Sequence, residues 1–519
     1  MKNIMLQSYK FNLENKIVYV YILLLSSIIP ILSIINPILL GSDEVLTFRA
    51  NVNIINYLYV FDLKNLLIEL FKDFHPPGRN LFPLISIYFF GENISALRFP
   101  YYLLWIGSCF LAFKIVQNYS SNILAGILST TLIAGSGLFH IQVLGLGHGV
   151  VTFIGLLIIY ILSKHFKKKI EFIPFKEFNL ISLISFIGFL FYNTFVLIII
   201  NLYLIQFFLI LKSDIKYLKP FFISSFLFAS LHLLYLLLFI GLPYLIVNEP
   251  SFIQFLTKIF GNLNFGNWDQ KPFGQFHQYL VRGKGLSLSL QPLINNISYL
   301  NWHFFPFISI VIIPISIIYL FFKHRYIFVL LFSYFLVINF FMSWTAPGHF
   351  ASFFIWLIPF FSLSVLEFSK NYKLKYLIIL FSIIFISFTL FYHVKPYNEK
   401  NYPYEVVKKF NGLLIWPSNL NKPFKEISDE IIRYNKHNSK IGYTTSNAMF
   451  QYYFKDDSTR HITLDNLKIL YEKKLCTDKV KKMKLEILIS TNILPKPCDI
   501  IIKKVLKFDN SSIIVFLLN

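Results

Sequence analysis

The chain has 519 residues, of which 56% are hydrophobic and 14% charged, with a net charge of +22. A soluble protein of that length carries about a quarter charged residues, so a water-soluble globule is excluded. The excess Lys and Arg is scattered between apolar runs and over the tail, not gathered with aromatics into a nucleic-acid-binding face, and no nucleic-acid partner is expected.

A membrane-crossing helix needs about 20 consecutive apolar residues. Runs of that kind place spans over 17–40, 94–116, 121–140, 149–165, 178–192, 194–211, 219–241, 302–322, 325–343, 350–366 and 374–393, about eleven in all. The first run ends in PILLGSDE without a small-residue cleavage site, which reads as an uncleaved first helix. Lys and Arg resist translocation in short connections. The N-terminus, the KHFKKK run, the LKSDIKYLKP run, Lys323 with Arg325, and Lys370 to Lys375 are therefore expected in the cytoplasm. The opposite short connections, around 142–148, 192–193 and 344–349, contain no Lys or Arg. This arrangement puts the long connections 41–93 and 242–301 outside, together with everything after the last span.

The first outer connection opens GSDEVLTFRA, with Asp43 and Glu44 close behind the first span. Two acids there suit a plain marker of the interface. They equally suit a general base in a cavity at the membrane surface, where partial burial tunes a carboxylate toward working pH. Next comes DFHPPGRN, with His75 and Arg79. Proline is tolerated in the first helical turn, so the Pro pair predicts a short interfacial helix over NLFPLISIYFF, ended by Gly91. GENISALRFP then leads into the second span with Arg98 at its outer end. Each arginine alone suits a snorkelling side chain; together with His75 they form an inventory for holding a phosphate beside a base.

The connection 242–301 is rich in Gly, Asn and aromatics and includes Trp268, Asp269, His277, Arg282 and Lys284, groups that can stack on sugar faces and fix hydroxyls, or simply lie along the interface. No HExxH or closely paired histidines appear, so no metal or other cofactor is expected. From Lys395 the apolar runs shorten. FKEISDEIIRYNKHN has helical spacing at Phe424, Ile427, Ile431 and Ile432, and SKIGYTTS, LEILIST, CDIIIKK and SSIIVFLL read as strands. Residues 395–519 are thus expected to form a small α/β domain following a membrane domain over 1–394. Of the three cysteines, Cys109 lies within a span, and Cys476 and Cys498 in the tail can pair only in an oxidising compartment.

The order GSDE, HPPG, then FGENISALRFP before a long helix resembles the first outer loop of GT-C glycosyltransferases of the protein O-mannosyltransferase and lipid A aminoarabinose transferase type. The resemblance is clearest over 17–165, and WTAPGHFASFFIWLIPFFSL is similar to the family's late helix. It implies a polytopic helical enzyme of the inner (plasma) membrane. Such an enzyme moves a sugar, with inversion, from a polyprenyl-phosphate carrier to an acceptor protein, lipid or glycan on the outer face. It implies Asp43 as the catalytic aspartate, with Glu44 beside it, and His75 and Arg98 at the donor; Arg79, His148, Arg282 and His349 complete the candidates for phosphate and sugar. The chain departs from the pattern in the second outer loop, FHIQVLGLGHG, which offers only His140, Gln142 and His148, and at His349, where an arginine is common. Two rival readings are a transporter or flippase of lipid-linked saccharides and an O-antigen ligase or polymerase. The former calls for ionisable or broken helices near mid-bilayer in matched halves, the latter for basic clusters in other loops.

Overall fold

The computed structural model describes residues 2–35, 42–71, 77–120, 122–136, 138–143, 147–166, 172–192, 195–236, 290, 293–294, 296–297, 308–341, 347–368, 380, 384, 427–432, 441–443, 461–463, 487–490, 502–507 and 514–518. It divides into two units, one of residues 1–32 and 50–394 and the other of residues 33–49 and 395–519.

The first unit is helical, and its first two helices run on into residues 33–49 of the second. Helix α1 (Lys2–Ile35) carries Pro30 inside it, and α2 (Ser42–Tyr59) begins on Ser42, Asp43 and Glu44, whose charges favour a helix N-terminus. Helix α3 (Leu63–Phe71) is opened by Asp62, whose carboxylate accepts the Asn65 backbone N–H at 3.1 Å and its side-chain amide at 2.6 Å. Those bonds to Asn65 hold Asp62 below the usual carboxylate range. Two helices therefore occupy the connection 41–93 upstream of the Pro pair, where no element was expected. The single interfacial helix expected after that pair is instead two, α4 (Gly78–Leu81) and α5 (Leu84–Phe90). Pro83 separates them because it has no N–H to continue the ladder. Gly91, at φ 81°, ends α5 in a conformation that side chains rarely adopt.

Helix α6 (Ile94–Tyr119) is capped by Asn93, whose side chain accepts the Ala96 N–H. The run expected to cross at 121–140 is divided: α7 (Ile123–Ala134) stops at Gly135 and Ser136, and α8 (Leu138–Val143) follows. The glycine-rich GSG interrupts an otherwise apolar sequence, and periodicity alone does not register such a break. Then come α9 (His148–Phe166), α10 (Phe175–Phe189), α11 (Val196–Ser213), α12 (Leu218–Leu236), α13 (Ile308–Lys323), α14 (Arg325–Leu336) and α15 (Pro347–Phe368). Between α14 and α15 the chain makes a π-helical turn over Val337–Phe341. Asn339 there donates to the Phe335 carbonyl at 2.8 Å and accepts from Asn296 at 3.1 Å.

Among the described residues six helices are long and apolar enough to cross a membrane: Lys16–Ile34, Ile94–Tyr119, His148–His165, Val196–Ser213, Ile215–Tyr235 and Phe350–Glu367. Ile123–Ala134, Val311–Lys323 and Arg325–Phe340 are apolar but shorter. The segment expected to cross at 374–393 lies almost wholly outside the described residues. Exposed Leu, Ile and Phe line α11 and α12, the surface expected of helices whose solvent is hydrocarbon.

The second unit contains a five-stranded sheet, β1 (Ile441–Tyr443), β2 (His461–Thr463), β3 (Ile487–Ser490), β4 (Ile502–Lys507) and β5 (Ile514–Leu518), in the order β2-β1-β3-β5-β4. β1 pairs parallel with β2 and β3, and β5 pairs antiparallel with β3 and β4. Ile441 faces Ile487 in register, and both are buried. Residues 427–432 are helical, with Ile427 and Ile431 buried and Ile432 largely exposed, so four-residue spacing marks the inner face.

Candidate functional site

The core of the helical unit is built on α6, α9 and α15, which pack against one another and run in the same direction. Towards their N-terminal ends the side chain of Tyr101 lies 3.5 Å from where a Cβ on Gly149 would stand. Towards their C-terminal ends Asn118 donates to Ser163 at 2.6 Å, and Tyr119 packs on Phe360 at 6.1 Å. Midway, Gly155 lets α15 come close: a Cβ there would stand 2.2 Å from the Trp356 indole, whose N–H donates 3.0 Å to the Thr152 carbonyl.

The N-terminal ends of these helices collect most of the predicted residues that the structure describes. Arg98, in the second turn of α6, is 1% exposed, and His148, the first residue of α9, is 8% exposed. The His148 ring stacks on Tyr192 at 4.5 Å, and its Nε2 lies 3.2 Å from the Tyr192 hydroxyl. Tyr192 follows the end of α10, and the same segment receives the Pro77 turn. The Gly78 N–H donates to the Leu190 carbonyl at 3.0 Å, an approach only glycine permits because a Cβ would meet that oxygen at 2.6 Å. Phe82, at the end of α4, packs edge-on against Phe191 at 5.6 Å and against Tyr101 at 5.3 Å. Arg79 and Arg98 each lie three residues, one helical turn, before a member of the Phe82–Tyr101 pair. Helix α5 is tied to α6 by the Ser86 hydroxyl, 2.6 Å from the Ala96 carbonyl.

Arg79 is completely buried. Neither it nor Arg98 snorkels, as a lone interfacial arginine would; both guanidinium groups lie inside protein. Of the remaining predicted residues, Asp43 is the second residue of α2, and Glu44, the third, is completely buried. His349 is the third residue of α15. His75 and Arg282 lie outside the described residues. Among the described residues no group of three His, Cys, Asp or Glu side chains could hold a metal ion. The end of α2 is joined to α5 by Tyr59 and Tyr88, whose rings lie 6.3 Å apart; the hydrogen bond that the Tyr59 hydroxyl gives Tyr88 holds its pKa above the ordinary value.

Below Arg98 and His148 lies a polar chain that inspection of motifs misses. The Thr152 hydroxyl bonds the side-chain carbonyl of Gln142 and lies 2.8 Å from the Ser352 hydroxyl, linking α8, α9 and α15. All three residues are buried. Gln142 stood out in the sequence only as a polar residue of FHIQVLGLGHG, and its partners Thr152 and Ser352 only as a hydroxyl inside each of two apolar spans, a signal shared with many helices that merely back-bond their own carbonyls. Tyr192 and Trp105, also near the polar end, carry no signature beyond being aromatic.

Together these features describe a helical protein with several membrane-spanning candidates and a buried, cation-bearing cluster at one end of its central helices. Neither a family model nor a curated protein matches the chain.

Proposed function

We propose that the chain is a GT-C-type glycosyltransferase of the inner (plasma) membrane. It moves a sugar from a polyprenyl-phosphate carrier to a hydroxyl of an acceptor protein, lipid or glycan on the outer face. The observation that carries the proposal is the complete burial of Arg79 and near-complete burial of Arg98 in the helical unit. An ionisable side chain inside a membrane protein is costly and is by default the mark of a functional site; in this reading the anion it serves is the lipid phosphate. In this reading about eleven helices cross the bilayer and residues 395–519 form an extracytoplasmic α/β domain.

The chemistry is a single displacement with inversion. The acceptor oxygen bonds the anomeric carbon as the bond from that carbon to the phosphate oxygen breaks, and the acceptor proton passes to Asp43, with Glu44 beside it in α2. The phosphate leaves with its negative charge already stabilised, so the protein's work lies in activating the acceptor and holding that charge. His75, Arg79, Arg98, His148, Arg282 and His349 are the donors proposed for phosphate and sugar, with the arginines favoured for phosphate by their forked geometry. No cofactor is required.

The decisive experiment is transfer from a polyprenyl-phosphate-linked sugar by the purified chain and by Asp43→Asn. The variant keeps the shape and loses the proton acceptor. Its rate should fall by about two to four orders of magnitude, the usual contribution of a positioned base, with an unchanged melting temperature. Normal turnover by the variant removes Asp43 from this role.

A further inference from the structure

We infer that Gln142 is a specificity-determining residue whose side-chain N–H groups bond an oxygen of the transferred sugar, with Thr152 and Ser352 as the positioning residues that aim it. The inference rests on the glycosyltransfer reading above and deepens it by naming where the sugar is read.

A hydroxyl has one proton, and the carbonyl oxygen of a carboxamide only accepts. Thr152 is thus the donor to Gln142 Oε1, and its hydroxyl also lies 2.8 Å from the Ser352 hydroxyl. Three helices thus hold the carboxamide in one orientation. Its other end, Nε2 with two N–H donors, has no hydrogen-bond partner among the described residues although the residue is only 1% exposed. A second donor nearby is in the same state. The indole N–H of Trp105 is buried without a partner among the described residues, and Trp105 packs edge-on against Phe139, one helical turn before Gln142 in α8. Buried donors left unbonded are expensive, and each calls for an occupant such as a water, an ion or a ligand group.

The chemistry of the pair selects the ligand. Both donors are neutral, and the residues that aim Gln142 are neutral hydroxyls. A phosphate is better served by charged donors, which Arg79 and Arg98 supply. Neutral amide and indole donors beside the Tyr101, Tyr102 and Phe139 rings suit hydroxyl and ring oxygens with C–H faces between them, as in a sugar. Tyr102 stacks on Phe139 at 5.8 Å, and Gly149 lies against both Tyr101 and the Gln142 backbone carbonyl, so the aromatic and amide groups share one corner.

The test compares two affinities on the purified full-length chain in nanodiscs: that for a bare long-chain polyprenyl phosphate and that for the same lipid carrying mannose or, in a parallel arm, aminoarabinose. The wild type should bind at least one sugar-bearing lipid more tightly than the bare one. Gln142→Leu and Thr152→Val should each shrink that ratio by about three- to tenfold, the worth of one neutral hydrogen bond, while affinity for the bare lipid stays put. Thr152→Ser, which keeps the hydroxyl, should restore the ratio, which a merely structural role for Thr152 does not require. Four results overturn the inference: no preference for either sugar-bearing lipid in the wild type; a ratio untouched in both variants, which would leave Gln142 bonding only an ordered water; equal loss for bare and sugar-bearing lipid, which would assign the amide to the phosphate; and no rescue by Thr152→Ser. Failure of the wild type to bind any of the lipids removes the glycosyltransfer reading and this inference with it.

Discussion

The two ends of α6, α9 and α15 solve the same problem in opposite ways. At the C-terminal ends, charged side chains are paired within the chain, although the Tyr119 hydroxyl is buried with no partner among the described residues. Lys323 bonds Glu367 at 2.5 Å with both side chains about half exposed, and His165 pairs with Glu177. At the N-terminal ends, Arg98 and His148 are buried, and Gln142 and Trp105 retain donors with no partner among the described residues. An exposed ion pair contributes roughly 0–1 kcal/mol and is screened by salt. Keeping cations and open donors inside protein runs against folding, so it is retained where it serves binding. The comparison teaches that one end of these helices pairs its charges at a partly exposed surface, while the other encloses cations and neutral donors, the arrangement expected of a binding site.

The largest expected departure comes from Arg98→Met, which keeps much of the volume and removes the charge. Affinity for a polyprenyl phosphate should drop by about ten- to a hundredfold, the worth of a charge-assisted hydrogen bond. A vesicle or nanodisc binding assay reads this directly, and unchanged affinity would make the two ends equivalent. The packing that holds both ends in place is tested by Gly155→Ala. A Cβ there stands 2.2 Å from the enclosed Trp356 indole, so α9 and α15 must move apart. A destabilisation of about 1–3 kcal/mol is expected from such overpacking, seen as a lower melting temperature in detergent.

At the other end, His324 lies between α13 and α14, with its ring 4.2 Å from Tyr119. Burial pushes its pKa from 6.5 down to about 4, with Glu367 opposing and Lys323 adding to the shift. The unfolded chain therefore takes up the proton first. Stability should decline as pH falls from about 6.5 towards 4 and level off below that. Melting curves across this range should show the slope, and His324→Gln should flatten it. The smallest effect is expected for Lys323→Met: less than about 1 kcal/mol in stability and no change in lipid affinity. A large loss there would erase the contrast between the ends.

Much of the helical unit was legible in the sequence because hydrocarbon length and apolar composition act locally: each of the six long apolar helices overlaps a run read from residues alone. The turn at the Pro pair and the stop at Gly91 follow from backbone chemistry within a few residues, whereas the caps Asn93 and Asn122 were not read from the sequence. The break after Ala134 and the helices α2 and α3 were not legible, since a short GSG inside an apolar run and a mixed amphipathic stretch each allow more than one outcome.

The candidate residues divide the same way. That Arg79, Arg98 and His148 stand beside helix starts is a property of local sequence; that Arg79 and Arg98 are buried and not snorkelling is not, because a guanidinium beside an interface can turn either way until neighbouring helices close over it. Gln142, Thr152 and Ser352 are separated by as many as 210 positions along the chain, and nothing in any one of them announces the other two. The sequence by itself determined a helical, membrane-suited chain with its charges between apolar runs, because those properties are set residue by residue against water and lipid. Only the tertiary structure decided which polar groups meet. Hydrogen bonds act over about 3 Å, and it is the packing of α6, α8, α9 and α15 that brings the distant ones within that reach.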